Sequence, residues 1–173
     1  MKEEIIKTNQ PLAVQLQSVA DDLIQTLDFI RQEDINRIPF QGSWTAAQVG
    51  EHIVLSVSSI TALLKGNSGI TNRAPDKHIQ ALKDMFLDLN LKFTSAPSIT
   101  PDDKYYDKDI LTAKLQIVFD EMLEVIDTKD LTDSCLESEF PGMGHLTRLE
   151  WLYQTLYHTQ RHVHQLKNIK GYL

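Results

Sequence analysis

The chain has 173 residues, with 17 Lys and Arg against 24 Asp and Glu, and its formal net charge is −7. Hydrophobic residues make up 42% and charged residues 24%, which is typical of a globular protein that buries a core without disulfide bonds. The basic residues are scattered and form no stripe that would neutralise a phosphate backbone, so nucleic-acid binding is disfavoured. The lone cysteine, Cys135, lies in the acidic stretch TDSCLESE, which is unfavourable for a reactive thiolate.

The amino-terminal stretch MKEEIIKTNQPL has two early acids and lacks the apolar run that a signal peptide needs. Nothing later in the sequence approaches 18 consecutive apolar residues, so no membrane-spanning helix is predicted. We therefore expect a cytoplasmic protein that does not act at a membrane. The length favours one domain that covers residues 1–173.

Helical periodicity dominates the first third of the sequence. From Pro11, which suits a first helical turn, to about Ile30, apolar residues recur every three or four positions. Thr45 and Gln48 then form a capping box that predicts the start of a second helix. The apolar stripes of these two predicted helices are Leu12, Leu16, Val19, Leu23, Leu27 and Ile30, and then Val49, Ile53, Val57, Ile60 and Leu64.

The rest of the chain predicts one short helix and two long ones. The segment DKHIQALKDMFLDLN has a helical pattern of only three or four turns, and Asp107 or Lys108 begins a helix that runs to about Ile126. A second capping box, Thr147 with Glu150, starts a last helix that ends before Gly171. No plausible strand pair is visible. The predicted fold is all-α: a four-helix bundle with one short additional helix.

Three of the six histidines are predicted to face the interior of this bundle. His158 and His162 lie four residues apart in the last helix and leave the same face, while His52 lies at the edge of the second helix's inward stripe. His164 projects to the opposite side and should be exposed. From spacing alone the inward histidines are either core residues satisfied by neighbours or ligands of one metal ion. Position 159 is threonine, so the HExxH motif of metalloproteases is absent.

Two segments point to a known family. GSWTAAQVGEHI, at the start of the second helix, and FPGMGHLTRLEWLYQTLYHTQRHVHQL, late in the chain, resemble the DinB/YfiT-like superfamily over nearly the whole chain. The resemblance implies a four-helix bundle with one divalent metal ion. Its three ligands would be His52, which follows Trp44, together with His158 and His162. The HRG-like ending of many members is missing, so the resemblance does not fix the subfamily.

The resemblance implies several chemistries, because relatives include bacillithiol S-transferases, mycothiol-dependent maleylpyruvate isomerases and members labelled metal-dependent hydrolases. We expect a metal-dependent thiol S-transferase that uses a low-molecular-weight thiol on small electrophilic substrates. The alternatives are a metal-dependent hydrolase and a non-enzymatic, metal-stabilised, stress-related binding protein. Zinc or nickel is the expected ion, although imidazole also accepts copper and iron. Bundles of this kind often pair, so a homodimer is a further expectation.

No catalytic residue is assigned from the sequence. Glu51 adjoins His52 but is predicted to point away from the inward stripe, which makes it a poor general base. Gln48 and Gln165 are within reach of the site as groups that could orient its ligands. His145 precedes the last helix and is interpreted as a loop residue rather than as part of the site.

Overall fold

The computed structural model describes the backbone of residues 2–173 and the side chains of residues 11–173. The expectation about a signal peptide concerns, in part, residues that lie outside this description. With elements numbered in chain order, the helices are α1 (Lys2–Asp28), α2 (Gln32–Ile35), α3 (Ala46–Lys65), α4 (Ile79–Leu87), α5 (Lys108–Thr128) and α6 (Arg148–Lys170). The chain also forms a 3-10 turn (Pro97–Ile99) and two short strands, β1 (Ser68–Gly69) and β2 (Ser134–Cys135).

The four long helices form a bundle. α3 packs between α5 and α6, and α1 packs between the same two helices, so α1 and α3 lie at opposite corners. The short helix α4 packs on the outside of α6. All of the apolar positions predicted to line the first two long helices are buried. The all-α fold, the four-helix bundle and the short additional helix are therefore confirmed.

One glycine lets three helices approach closely at the corner occupied by α3. A Cβ atom on Gly50 would lie 3.0 Å from a side-chain carbon of Leu111 on α5 and 3.2 Å from one of Leu27 on α1. These distances are tighter than ordinary van der Waals contact, so a larger residue at position 50 would force the Leu111 and Leu27 side chains to shift. The close packing fixes α3 two residues before the first candidate ligand, His52.

Both predicted capping boxes are present. The Thr45 side chain accepts a hydrogen bond from the backbone N–H of Gln48, and the Gln48 side chain accepts one from the N–H of Thr45. Thr147 and Glu150 make the same reciprocal pair at the start of α6. These bonds satisfy backbone donors that the first helical turn leaves free, and they set where the two histidine-bearing helices begin.

The predicted start of the first helix is wrong. α1 begins at Lys2 and contains Pro11 in its interior, whereas the sequence suggested that Pro11 opens the helix. Inside a helix, proline removes one backbone donor and its ring crowds the carbonyl four residues earlier. The segment before it is rich in lysine, glutamate and isoleucine, of which lysine and glutamate are good helix formers. Helix propensity on both sides therefore outweighs the break at one position.

The prediction that no strands pair is also wrong, on a small scale. β1 and β2 pair antiparallel, with Ser68 opposite Cys135 and Gly69 opposite Ser134. Two residues are too few to show an alternating pattern in the sequence. The pair joins the loop after α3 to the segment before α6, and so ties together the ends of the two histidine-bearing helices.

Arg148 makes a second connection between those ends. This arginine is 4% exposed, its Nε donates to the backbone carbonyl of Leu64 at 2.7 Å, and one terminal nitrogen donates to the carbonyl of Asp130 at 2.9 Å. The carboxyl end of α3 is thereby fixed against the amino end of α6. The two helices consequently run antiparallel.

Among residues 2–173, α3 is the helix whose length and composition would suffice to cross a membrane, and 67% of that apolar stretch is buried inside the protein. Its apolar surface packs against the other helices of the bundle. The apolar character of α3 is therefore explained by its packing in the core of the bundle.

Candidate metal centre

The three predicted histidines converge between α3 and α6. The Nε2 atom of His158 lies 3.2 Å from Nε2 of His52 and 3.0 Å from Nε2 of His162. All candidate ligand atoms of the group lie within 4.8 Å of one another. Three nitrogens bound to one zinc ion at 2.0–2.1 Å in tetrahedral directions would be separated by about 3.3 Å. Two of the three separations are close to this value and the third lies within 4.8 Å, so the cluster is near the size that a single ion requires. Binding of an ion to it stays a prediction.

The antiparallel register of α3 and α6 explains why the rings meet. The hydrogen bond from Arg148 to the Leu64 carbonyl holds these two residues side by side. Twelve residues separate Leu64 from His52, while ten and fourteen separate Arg148 from His158 and His162. Because each helical residue advances the axis by about 1.5 Å, His52 lies level with the midpoint between the two histidines of α6.

Hydrogen bonds on the far side of two rings determine which nitrogen faces the centre of the cluster. Nδ1 of His52 lies 2.7 Å from the backbone carbonyl of Ile99, and Nδ1 of His162 lies 2.8 Å from Oε1 of Gln165. Both oxygens can only accept, so each Nδ1 carries the hydrogen of the neutral ring and each Nε2 presents a lone pair. Partners of this kind commonly orient metal-binding imidazoles.

This arrangement creates an electrostatic conflict at the centre. His158 Nε2 faces two lone pairs, one from His52 and one from His162, but a neutral imidazole nitrogen has at most one hydrogen to donate. At least one of the two short nitrogen contacts therefore brings lone pairs together. A cation placed among the three nitrogens would remove the conflict, and this is the arrangement expected of a metal site.

Burial keeps the three rings neutral. Loss of solvent lowers the pKa of His158 well below its usual value, with a further lowering from His162 and His52. Burial lowers the pKa of His162 to about 3, and it also lowers that of His52, partly opposed by the hydrogen bond to the Ile99 carbonyl. Near neutral pH the nitrogens thus hold lone pairs, and a metal ion would not compete with protons for them.

Aromatic side chains line the surroundings of the cluster. The Phe86 ring packs edge-on against His158, with centroids 5.6 Å apart, and the Trp44 ring lies 5.1 Å from His52. His52 is 3% exposed and His158 9% exposed, whereas His162 is half-buried. The side of the cluster at His162 is therefore its more accessible side.

Two other histidines, His145 and His164, lie where the sequence suggested. His164 is exposed. Nδ1 of His145 lies 2.9 Å from the backbone carbonyl of Ser138 and its Nε2 lies 3.5 Å from Glu139, so its polar atoms are used within its own loop. Neither residue belongs to the cluster.

Three further expectations, on Gln165, Gln48 and Glu51, have different outcomes. Gln165 does orient His162, as described above, but Gln48 is engaged in the capping box of α3. The expectation that Glu51 points away from the histidines is compatible with its ion pair to Lys114 on α5. Its side chain is nonetheless buried, at 8% exposure, because α5 covers that side of α3.

Cys135 is fully buried, and burial raises the pKa of its thiol to about 11. The raised pKa leaves almost no thiolate at neutral pH, which supports a structural role.

Sequence reasoning missed the partner of His52. The Ile99 carbonyl comes from the 3-10 turn, 47 residues away in sequence, and that turn packs on α3. A backbone carbonyl leaves no mark in residue identity. Two prolines in SAPSITP signal an ordered turn, but they do not show which helix it covers.

A helical bundle with three convergent imidazoles from two helices defines a class: four-helix-bundle proteins with a candidate trihistidine metal centre. The model of the DinB superfamily matches residues 15–166, and the chain belongs to this superfamily. No curated protein matches the sequence. Among solved structures, the chain is similar to TT2238, described as a four-helix bundle protein, with 19% identity, a TM-score of 0.57 and coverage of 97% of this chain and 99% of the other. At that identity, the likeness shows the fold alone.

Proposed function

We propose that the protein is a metal-dependent thiol S-transferase that joins a low-molecular-weight thiol to a small electrophile. His52, His158 and His162 would hold one divalent ion, with zinc or nickel as the expected identity. The observation that carries the proposal is the convergence of three Nε2 atoms, two of them fixed as lone-pair donors by hydrogen bonds at Nδ1. A bound ion would supply Lewis acidity that lowers the pKa of a thiol at its free position.

The protein itself supplies three histidine ligands and an aromatic ring beside them. Among the described residues, the cluster consists of three histidines with no fourth His, Cys, Asp or Glu. Structural zinc sites are almost always closed by four protein ligands, whereas catalytic sites keep one position open. The Phe86 ring beside His158 reduces access of water, which strengthens electrostatic interactions at the site.

The absence of a carboxylate in the cluster favours a thiol over water as the nucleophile. Of the two acids closest in sequence to the histidine-bearing turns, Glu51 points away towards Lys114 on α5, 3.8 Å from its ammonium nitrogen, and Glu150 pairs with Arg73 at 2.6 Å. Hydrolysis would need a base to remove a proton from water. In the proposed reaction a carbon–sulfur bond forms, the leaving group departs with its bonding electrons, and the thiol proton passes to solvent.

The test is conjugation of a thiol to a chromogenic electrophile. Zinc- or nickel-loaded protein is incubated with cysteine, glutathione or bacillithiol and with 1-chloro-2,4-dinitrobenzene, and the thioether is quantified. We expect metal-dependent product with at least one thiol, loss of that product in His158→Gln, and retention in His164→Gln, a matched substitution on the same helix. No metal-dependent conjugate with any thiol would remove the proposal.

Two alternatives give different outcomes in the same samples. A hydrolase would release nitrophenol from nitrophenyl esters without any thiol. A non-enzymatic protein with a structural ion would show neither reaction and would unfold when the ion is removed. The small-molecule substrate and the homodimer stay predictions, and size-exclusion chromatography with light scattering checks the latter.

A further inference from the structure

A small cavity lies on the side of α3 that faces α5, whereas the histidine cluster lies on the side that faces α6. Its volume is about 220 Å³. The residues that matter for its chemistry are Glu51, Lys104, Tyr106, Asp107, Ile110 and Lys114. Pockets for drug-sized ligands occupy roughly 300–1,000 Å³, so this cavity would hold a molecule of only a few heavy atoms.

Glu51 brings an incompletely satisfied carboxylate to this cavity. The residue is 8% exposed, and among the described residues its Oε2 atom has no hydrogen-bond partner. The nearest cation is Nζ of Lys114, 3.8 Å away, which is too far for a hydrogen bond. A buried carboxylate oxygen without a donor is costly and calls for an explanation. A ligand with charged N–H donors would supply what the protein does not.

The charges around the cavity indicate what else the ligand carries. Lys104 and Lys114 are each about half exposed, at 50% and 47%, so their ammonium groups lie towards solvent while Glu51 lies deeper. Asp107 is occupied as the cap of α5. Lys104 is already paired with Asp102 at 3.1 Å, so Lys114 is the cation that a ligand would meet. A simple cation would bind Glu51 but meet Lys114, and a simple anion would bind Lys114 but meet Glu51. A ligand with one charge of each sign matches both.

Two apolar side chains of the cavity determine what the uncharged part of the ligand would contact. Tyr106 is 5% exposed, Ile110 is 60% exposed, and both contribute apolar surface beside the charged groups. We propose that this cavity binds a small zwitterion of the α-amino-acid class, with its ammonium group on Glu51 and its carboxylate on Lys114.

The test is binding of L-α-amino acids to the full chain. The standard amino acids are screened by thermal shift, and the best is titrated by calorimetry beside methylammonium and acetate. We expect a dissociation constant of about 1 mM or tighter for at least one amino acid, and at least about tenfold weaker binding of the two single-charge probes, since each lacks one charge-assisted contact.

Variants assign the binding to this cavity. Glu51→Gln keeps the shape and should weaken binding by about tenfold or more. Lys114→Met, at a half-exposed position that tolerates substitution, should weaken it as well. Glu121→Gln, an exposed position on α5, is the matched control and should bind as the wild type does. His158→Gln should also bind normally, which separates this cavity from coordination of the amino acid by a metal ion.

The proposal is overturned if no amino acid binds at about 10 mM, if methylammonium binds as tightly as the amino acid, or if Glu51→Gln and Lys114→Met both retain wild-type affinity. It is also overturned if binding disappears in His158→Gln. These outcomes do not depend on thiol conjugation, so this proposal and the proposed transferase can fail separately.

Discussion

Gln165 should control how tightly the histidine cluster binds metal, although it does not belong to the cluster. Its Oε1 atom accepts the Nδ1 hydrogen of His162 at 2.8 Å. Replacement by leucine removes that acceptor, leaves a half-buried N–H without a partner and allows the ring to adopt its other tautomer. Loss of such a partner weakens metal affinity by about 10- to 100-fold, which corresponds to about 1.4–2.8 kcal/mol.

The assay is a competition titration of metal-free protein against a chromophoric zinc chelator at pH 7.5. Gln160→Leu makes the same substitution at an exposed position of α6 and should leave the affinity unchanged. Gln165→Glu keeps an acceptor and adds a negative charge, so it should bind zinc at least as tightly as the wild type. If Gln165→Leu binds zinc within about twofold of the wild type, Gln165 does not orient a ligand and the inferred tautomer of His162 is wrong.

Other predictions concern pH, metal removal and packing. Below pH 6.5, the free energy of unfolding of the metal-free protein should fall as the pH falls towards about 3. The reason is that the histidines take up protons in the unfolded chain, whereas the buried rings, with their lowered pKa values, do not. In urea titrations between pH 5 and 6.5, the free energy of unfolding should change less with pH in a His158→Gln, His162→Gln double variant than in the wild type. Chelation should lower the melting temperature in calorimetry without unfolding the bundle, because the core is extensive without the ion. Glu150→Gln should cost about 3 kcal/mol in chemical denaturation, since it leaves the Arg73 guanidinium without its buried partner. Phe119→Ala should cost about 3–5 kcal/mol because the ring is 1% exposed, while Ile117→Ala, at an exposed position, should stay within about 0.5 kcal/mol.

Local chemistry made much of the bundle predictable. The capping boxes at Thr45 and Thr147 are set by hydrogen bonds between residues three apart, so their signal is contained in a few letters of sequence. The inward direction of His52, His158 and His162 follows from helical periodicity in the same way. The meeting of His52 with the other two did not follow from periodicity alone, and it was expected because of the family resemblance.

Features that depend on distant segments could not be read from the sequence. The register of α3 against α6 depends on Arg148 and a backbone carbonyl 84 residues away. The Ile99 carbonyl reaches His52 only because the 3-10 turn packs on α3. Glu51 is buried because α5 covers it, although helical position alone places it off the inward stripe. In each case the deciding contact is made by backbone or by a helix whose placement is tertiary.

The most direct test of the trihistidine centre is the metal content of protein purified without a histidine tag, measured by inductively coupled plasma mass spectrometry. We expect about one divalent ion per chain in the wild type and in His164→Gln, and almost none in His158→Gln, because His158 supplies the nitrogen that lies between the other two. Equal metal content in His158→Gln and the wild type, or a wild type that takes up no zinc or nickel when either is supplied, would contradict a metal site at these three histidines.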